Sequence, residues 1–318
     1  MLGGFLHATV WAAGFARVTV PAEGGQPPLQ AMVWTPCSQP PQPQTVGPFT
    51  LQGTPGCAIR GRDLPLVVIS HGQGGTLLGH HDTATALADA GFVVAALNHP
   101  GDTYGDDGRA QQLGIFESRP RDVSRLVDFM TQRWSQRAVL RPGAIGVFGF
   151  SRGGYTGLAL VGARPNLQAA SPRICQGLTR WLVPLCWRVS ASDARIQPKA
   201  DPRIRAAVIV DPLNLFDAAG LAQVRVPVQL WASQQGGDGV KLADVEVIRN
   251  ALPPGTEYHV AQGAGHFAYL APCPPALAAD APKLCRDPDG FDRVAWHRQM
   301  NAAVVRFFQA RLNGSPTP

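Results

Sequence analysis

Three residue types in this chain, taken in order, could carry out acyl-transfer chemistry: a serine, an aspartate and a histidine. Ser151 stands in Gly149-Phe150-Ser151-Arg152-Gly153, after an apolar run over residues 144–150 and before a helix-compatible segment over 155–161. Strand, sharp turn, helix is the context a Gly-x-Ser-x-Gly nucleophile motif requires. A serine hydroxyl attacks an acyl carbon only if it projects from the backbone, and a turn that tight leaves no room for a Cβ at the flanking glycines. A glycine-rich turn with an incidental serine is the bland alternative, and the flanking pattern argues against it.

A serine nucleophile needs a base for its proton and a carboxylate to orient that base. Of eight histidines, His266 lies in Gly263-Ala264-Gly265-His266-Phe267, a loop after the last strand-like run and downstream of the serine. His71 and His99 also end strand-like runs but precede the serine. Two aspartates fall between Ser151 and His266 in strand-end positions. Asp238 sits in Gln234-Gln235-Gly236-Gly237-Asp238-Gly239, and Asp211 directly follows a run ending at Val210. Asp238 is the expected acid, with Asp211 as the alternative. Each also has a structural explanation, Asp238 as a turn residue and Asp211 as a cap before Pro212.

An oxyanion hole needs two backbone N–H groups aimed at one point. Arg152, directly after the serine, is one candidate donor; Gln73, in the turn His71-Gly72-Gln73-Gly74-Gly75, is the other. No Gly-x-Gly-x-x-Gly opens a helix after the first strand and no Gly-Lys-Ser/Thr is present, so a nucleotide site is not indicated. No Cys-x-x-Cys or His-x-x-x-His spacing indicates a metal. No metal or organic cofactor is expected.

The elements that must hold these residues are readable from periodicity. Apolar runs over 64–70, 92–97, 144–150, 205–210 and 226–232 have the length of buried strands, with a short strand at 257–261. Strands over 15–20 and 29–34 open the chain. Helical spacing covers 81–90, 121–136, 240–252 and 293–312, and residues 36–62, rich in Pro, Gln and Gly, are expected as a surface loop. Buried strands alternating with helices predict an α/β fold, a mainly parallel sheet covered on both faces. Residues 164–202 break the rhythm and are expected to form a cap inserted in a single domain over 14–312.

The 318 residues carry a net charge of +6, with arginines scattered rather than clustered, which does not point to nucleic acid. Charged residues are 16% of the chain, below the roughly 25% of typical soluble domains, and 35 Gly with 29 Pro imply many ordered loops. No stretch reaches the ~18 apolar residues of a membrane span. Residues 1–13 are apolar without a basic start and are expected to be a remnant of an export signal. Six cysteines fall as Cys37 and Cys57, Cys175 and Cys186, Cys273 and Cys285; they allow 15 pairings, which sequence does not decide. Pairing of neighbours would staple three loops and implies a periplasmic or secreted protein.

Ser70-His71-Gly72-Gln73-Gly74-Gly75, Asn98-His99-Pro100-Gly101, Gly149-Phe150-Ser151-Arg152-Gly153-Gly154 and Gly263-Ala264-Gly265-His266-Phe267 together resemble the α/β-hydrolase superfamily. More narrowly they resemble predicted dienelactone hydrolases and the platelet-activating-factor acetylhydrolases. The resemblance implies an α/β-hydrolase fold and a serine carboxylic-ester hydrolase, lipase-like in kind, acting on a small-molecule or lipid-like ester. True dienelactone hydrolases use a cysteine nucleophile, which this chain lacks at position 151. Acetylhydrolase relatives place the acid where Asp211 lies, most other α/β-hydrolases where Asp238 lies. Peptidase or acyltransferase activity on the same residues, and a catalytically inactive binding protein, are the competing expectations.

Overall fold

The computed structural model describes residues 12–168 and 196–313. The expected cap therefore falls largely outside the described residues, as do Cys175, Cys186 and residues 1–11.

Nine strands join in a single sheet. It opens with the antiparallel pair β1 (Ala12–Val20) and β2 (Leu29–Cys37), and β2 joins β7 (Val93–Leu97) antiparallel. From β7 the sheet is parallel through β6 (Leu64–Ser70), β8 (Leu140–Phe150), β9 (Ile204–Val210), β10 (Val228–Ser233) and β11 (Glu257–Ala261). Strands β6, β7 and β10 are buried at every position, as a sheet covered on both faces demands. Alternate residues of one strand then serve different cores. Leu66 and Val68 pack with Val123, Leu158 and Ile248 on one face. Val67 and Ile69 pack with Leu87, Val304 and Phe308 on the other. Helices α1 (His81–Asp89) and Arg293–Leu312 cover that second face, and α2 (Ile115–Asp128), α3 (Arg152–Leu160) and Leu242–Ala251 the first.

Two expectations change in detail. Residues 36–62 are not a bare loop: β3 (Pro43–Val46) and β4 (Phe49–Gln52) form a hairpin, and β5 (Thr54–Pro55) extends the edge beyond β1. The hairpin turns at Gly47, whose φ is +59°, and inserts Leu51 into the core. Its short strands, with only Leu51 buried, leave a weak apolar signature in sequence. Helix α2 starts at Ile115, ahead of the expected 121, and continues through Pro120. Proline has no N–H for the Phe116 carbonyl four residues back. The Tyr155 hydroxyl donates to that carbonyl instead (3.2 Å), tying α2 to the helix behind Ser151.

The Cys37–Cys57 disulfide clamps the edge strands, and Cys273–Cys285 closes the segment that follows the His266 loop. Among the described residues no helix is long and apolar enough to cross a membrane.

Candidate active site

Strand β8 delivers Ser151 with φ +56° and ψ −118°, a conformation an L residue adopts only at a cost of about 1–3 kcal/mol. The elbow is held from both sides. Ser151 N–H donates to the Val210 carbonyl (2.9 Å), and its own carbonyl accepts from Leu213 N–H (3.0 Å). A Cβ on Gly149 would stand 2.1 Å from the Gly153 carbonyl oxygen, and one on Gly153 would stand 2.0 Å from that of Ser70. Strand, helix and the neighbouring β6 therefore close only with glycine at both positions.

His266 reaches the serine from the turn after β11. Its Nε2 lies 3.0 Å from Ser151 Oγ, and its Nδ1 lies 2.6 Å from Asp211 Oδ2. The ring rests on Phe150, centroids 4.7 Å apart, and its backbone N–H donates to the Gly236 carbonyl (2.8 Å). Asp211 follows β9 with φ +43° and is fully buried. Ser233 at the end of β10 donates to it twice, from N–H to Oδ1 (2.9 Å) and from Oγ to Oδ2 (2.6 Å). These donors fix the carboxylate and aim its Oδ2 at the imidazole.

The structure does not bring Asp238, the preferred acid of the sequence reading, to His266. Gly236, Gly237, Asp238 and Gly239 all have positive φ, and Gly237 N–H and carbonyl pair with Val240 in a tight turn. That turn borders His266 with its backbone and holds the Asp238 carboxylate at the surface, 3.3 Å from Lys283 Nζ. Asp211, the alternative, occupies the place instead. Ser233, its partner, carries no sequence signal of its own; it is an ordinary strand-end serine.

Gln73 and Arg152 are neighbours. A Cβ on Gly72 would lie 3.3 Å from Ser151 Cβ, so the turn carrying Gln73 abuts the elbow. Arg152 is the first residue of α3, where backbone N–H groups have no carbonyl one turn earlier. Its buried guanidinium donates to Gln73 Oε1, to Asp102 Oδ2 (2.9 Å) and to the Ala110 carbonyl (2.7 Å). Arg119 also pairs with Asp102 Oδ2 (2.7 Å) and donates to the His71 carbonyl, while Gly74 N–H donates to Asp102 Oδ1 (3.3 Å). Asp102 is thus the fixed point behind the glycine-rich turn.

His99 and His71 lie in this same buried layer. Ser70 Oγ stands 3.0 Å from His99 Nε2, and His99 Nδ1 stands 3.1 Å from Asp122 Oδ2, a second Ser-His-Asp array. It has the contacts of a triad without the setting of one. Ser70 is fully buried in β6, lies in no strained turn and accepts from Arg119 Nη2 at 3.4 Å. Burial first, and the Arg119 charge next, hold the His99 ring well below the usual histidine range, while burial pushes the Asp122 carboxyl up to about 7. Ser151, by contrast, retains 9% of its surface at the open end of the elbow. Among the described residues no group of three or more His, Cys, Asp or Glu could hold a metal ion.

Comparison with known proteins agrees with this architecture. The family described as serine aminopeptidase, S33 (Hydrolase_4) matches residues 62–200, which include Gln73 and Ser151 but neither Asp211 nor His266. The bis(hydroxyethyl) terephthalate hydrolase of Streptomyces coelicolor is 38% identical over 101 residues, 32% of this chain and 28% of that protein. The matched stretch is therefore well under two thirds of that relative. A ferulic acid esterase structure from Streptomyces cinnamoneus superposes with a TM-score of 0.65 at 17% identity, covering 99% of this chain and 94% of that one. The chain has the α/β-hydrolase fold. None of these matches is a dienelactone hydrolase or a platelet-activating-factor acetylhydrolase, so they lend the narrower resemblance no support.

Proposed function

We propose that the chain is a serine hydrolase of carboxylic esters in which Ser151, His266 and Asp211 act together. One observation carries the reading: the unbroken contact from Ser151 Oγ to His266 Nε2 (3.0 Å) and from His266 Nδ1 to Asp211 Oδ2 (2.6 Å) on a strained elbow. His266 Nε2 takes the hydroxyl proton as Oγ bonds to the ester carbonyl carbon. The carbonyl oxygen becomes an oxyanion between the N–H groups of Gln73 and Arg152. Collapse of the tetrahedral species breaks the ester C–O bond, and the alkoxide leaves with the proton from His266. Water then repeats the sequence on the acyl-enzyme, with His266 again as base, and returns Ser151 and the free acid. Asp211 stays ionised throughout and stabilises the imidazolium.

Names of the relatives favour esters of aromatic carboxylic acids, terephthalic and ferulic, as the first substrates to test. The family name favours a second reading, an aminopeptidase on the same residues. Two disulfides outside any catalytic contact support an oxidising, exported setting. Purified protein should be offered methyl ferulate, bis(hydroxyethyl) terephthalate, a chain-length series of p-nitrophenyl esters and aminoacyl p-nitroanilides. A fluorophosphonate should be mapped to its modified residue in parallel. Ester turnover with label on Ser151 supports the proposal. Turnover of the anilides alone would move it to the peptidase reading, and absence of both label and turnover would leave a binding protein.

A further inference from the structure

The loop that carries His266 is held from beneath by a second histidine that takes no part in the contacts to Ser151. His297, on the Arg293–Leu312 helix, is 2% exposed. Its Nε2 lies 2.8 Å from the carbonyl oxygen of Ala268, two residues beyond His266, and its Nδ1 lies 2.6 Å from Asp82 Oδ2 in the first turn of α1. Asn301 Nδ2 also donates to Asp82 Oδ2 (2.9 Å), and Thr83 Oγ1 donates to Asn301 Oδ1 (2.7 Å), so the pair is built into the junction of two helices.

Both ring nitrogens thus face oxygens that accept. A backbone carbonyl has no proton to give, and an ionised carboxylate has none either. A neutral ring would satisfy one of the two and leave the other facing a lone pair. Burial alone would raise the Asp82 carboxyl, but the charge of His297 and its hydrogen bond hold it well below the usual carboxylate range. The other titratable groups that feel this ring are His80, at the N-terminal cap of α1, and His81 in its first turn, while Trp296 packs edge-on against it. Burial takes His80 down to about 4 despite Asp82, with His297 adding to the fall, so His80 does not compete for the carboxylate as a cation.

We propose that His297 is a positioning residue of the hydrolase, a doubly protonated ring that pairs with Asp82 and straps the Ala268 carbonyl so that His266 points at Ser151. The inference rests on the ester-hydrolase reading for its catalytic consequence, not for its protonation state. His266 is then located by two backbone points, its own N–H on the Gly236 carbonyl and the Ala268 carbonyl on His297. Loosening the second point by about 1 Å would cost a rate factor on the order of 100 without altering the surface the substrate meets.

Two measurements test this. Nitrogen-15 spectra of the histidine rings in the wild-type protein near pH 7, assigned with His297→Gln, should show both His297 nitrogens protonated; one bare nitrogen would overturn the strap. Kinetics of His297→Ala and His297→Gln, referred to folded protein by near-UV circular dichroism, should separate positioning from mere stability. The alanine variant should lose roughly 100-fold in kcat with KM within about two-fold, and glutamine, which keeps a donor for Ala268, should recover about ten-fold of it. A kcat per folded molecule unchanged in His297→Ala would overturn positioning, as would equal losses in both variants. If the wild-type protein hydrolyses no ester, the functional reading fails, and the nitrogen-15 result still decides the strap.

Discussion

Asp211 Oδ2 stands 2.6 Å from His266 Nδ1, while the other candidate acid, Asp238, spends its charge on the exposed Lys283. The two aspartates should therefore respond very differently to neutralisation. Asp211→Asn removes the charge that stabilises the imidazolium and favours the wrong tautomer, a loss of about 10⁴ in kcat in the serine-protease case. Asp238→Asn deletes a surface ion pair worth about 0–1 kcal/mol and should leave kcat within about two-fold. Steady-state kinetics of both variants on one ester check the ranking; the reverse order would move the acid to Asp238.

Ser151→Ala should abolish turnover and fluorophosphonate labelling while leaving the fold. The hydroxyl makes its contact with His266 across the open end of the elbow, and the backbone bonds to Val210 and Leu213 do not depend on it. Thermal unfolding of the variant should fall within about 0.5 kcal/mol of wild type. Collapse of the fold would mean that the serine is structural.

The second array gives the opposite expectation. Ser70→Ala should keep Ser151 labelling and most of the turnover, because Ser70 is sealed inside β6. It should cost about 1–3 kcal/mol of stability, since His99 Nε2 and Arg119 Nη2 each lose a buried partner. Loss of label in Ser70→Ala with label retained in Ser151→Ala would exchange the roles of the two serines.

Strand β6 and the terminal helix lie where their periodicity puts them, because each answers to one local rule: a fully buried apolar run for the one, a stripe at helical spacing for the other. The strand-end positions of Ser151 and His266 were legible for a related reason. Each sits in a glycine-bearing turn whose backbone demands are written in the adjacent residues. Which aspartate meets His266 was not legible, because nothing local distinguishes Asp211 from Asp238. What sets Asp211 apart in the fold is Ser233, 22 residues away, whose N–H and hydroxyl orient its carboxylate. The Asp82–His297 pair spans 215 residues and leaves no short-range trace at all.

The two disulfides should both matter to stability, and only the second to turnover. Cys37–Cys57 and Cys273–Cys285 close loops of 20 and 12 residues, and loops of that size contribute roughly 3 kcal/mol each in the chain-entropy account. Cys37→Ser/Cys57→Ser should therefore lower Tm by several degrees and leave kcat nearly unchanged. The second bridge follows the His266 loop, so Cys273→Ser/Cys285→Ser should lower both Tm and kcat. Equal kcat in the two double variants would show that the bridge does not restrain that loop.

Asp89, in the last turn of α1, offers a stability change with a defined pH signature. Burial raises its carboxyl to about 6, and no described group donates to its Oδ1. A carboxylate at a helix C-terminus also opposes the helix dipole. In the unfolded chain the same group titrates near 3.9. Between about pH 4 and 6 the folded state therefore binds more protons than the unfolded state, so stability falls as pH rises through this window and the penalty is fully present above it. Asp89→Asn removes the titration. The variant should match wild type at pH 4 and exceed it at pH 8 by on the order of 1 kcal/mol, solvent at the half-exposed side chain screening the rest. Urea unfolding of both proteins at the two pH values measures the difference. A gain of equal size at pH 4 and pH 8 would assign the effect to helix capping or packing instead of the buried charge.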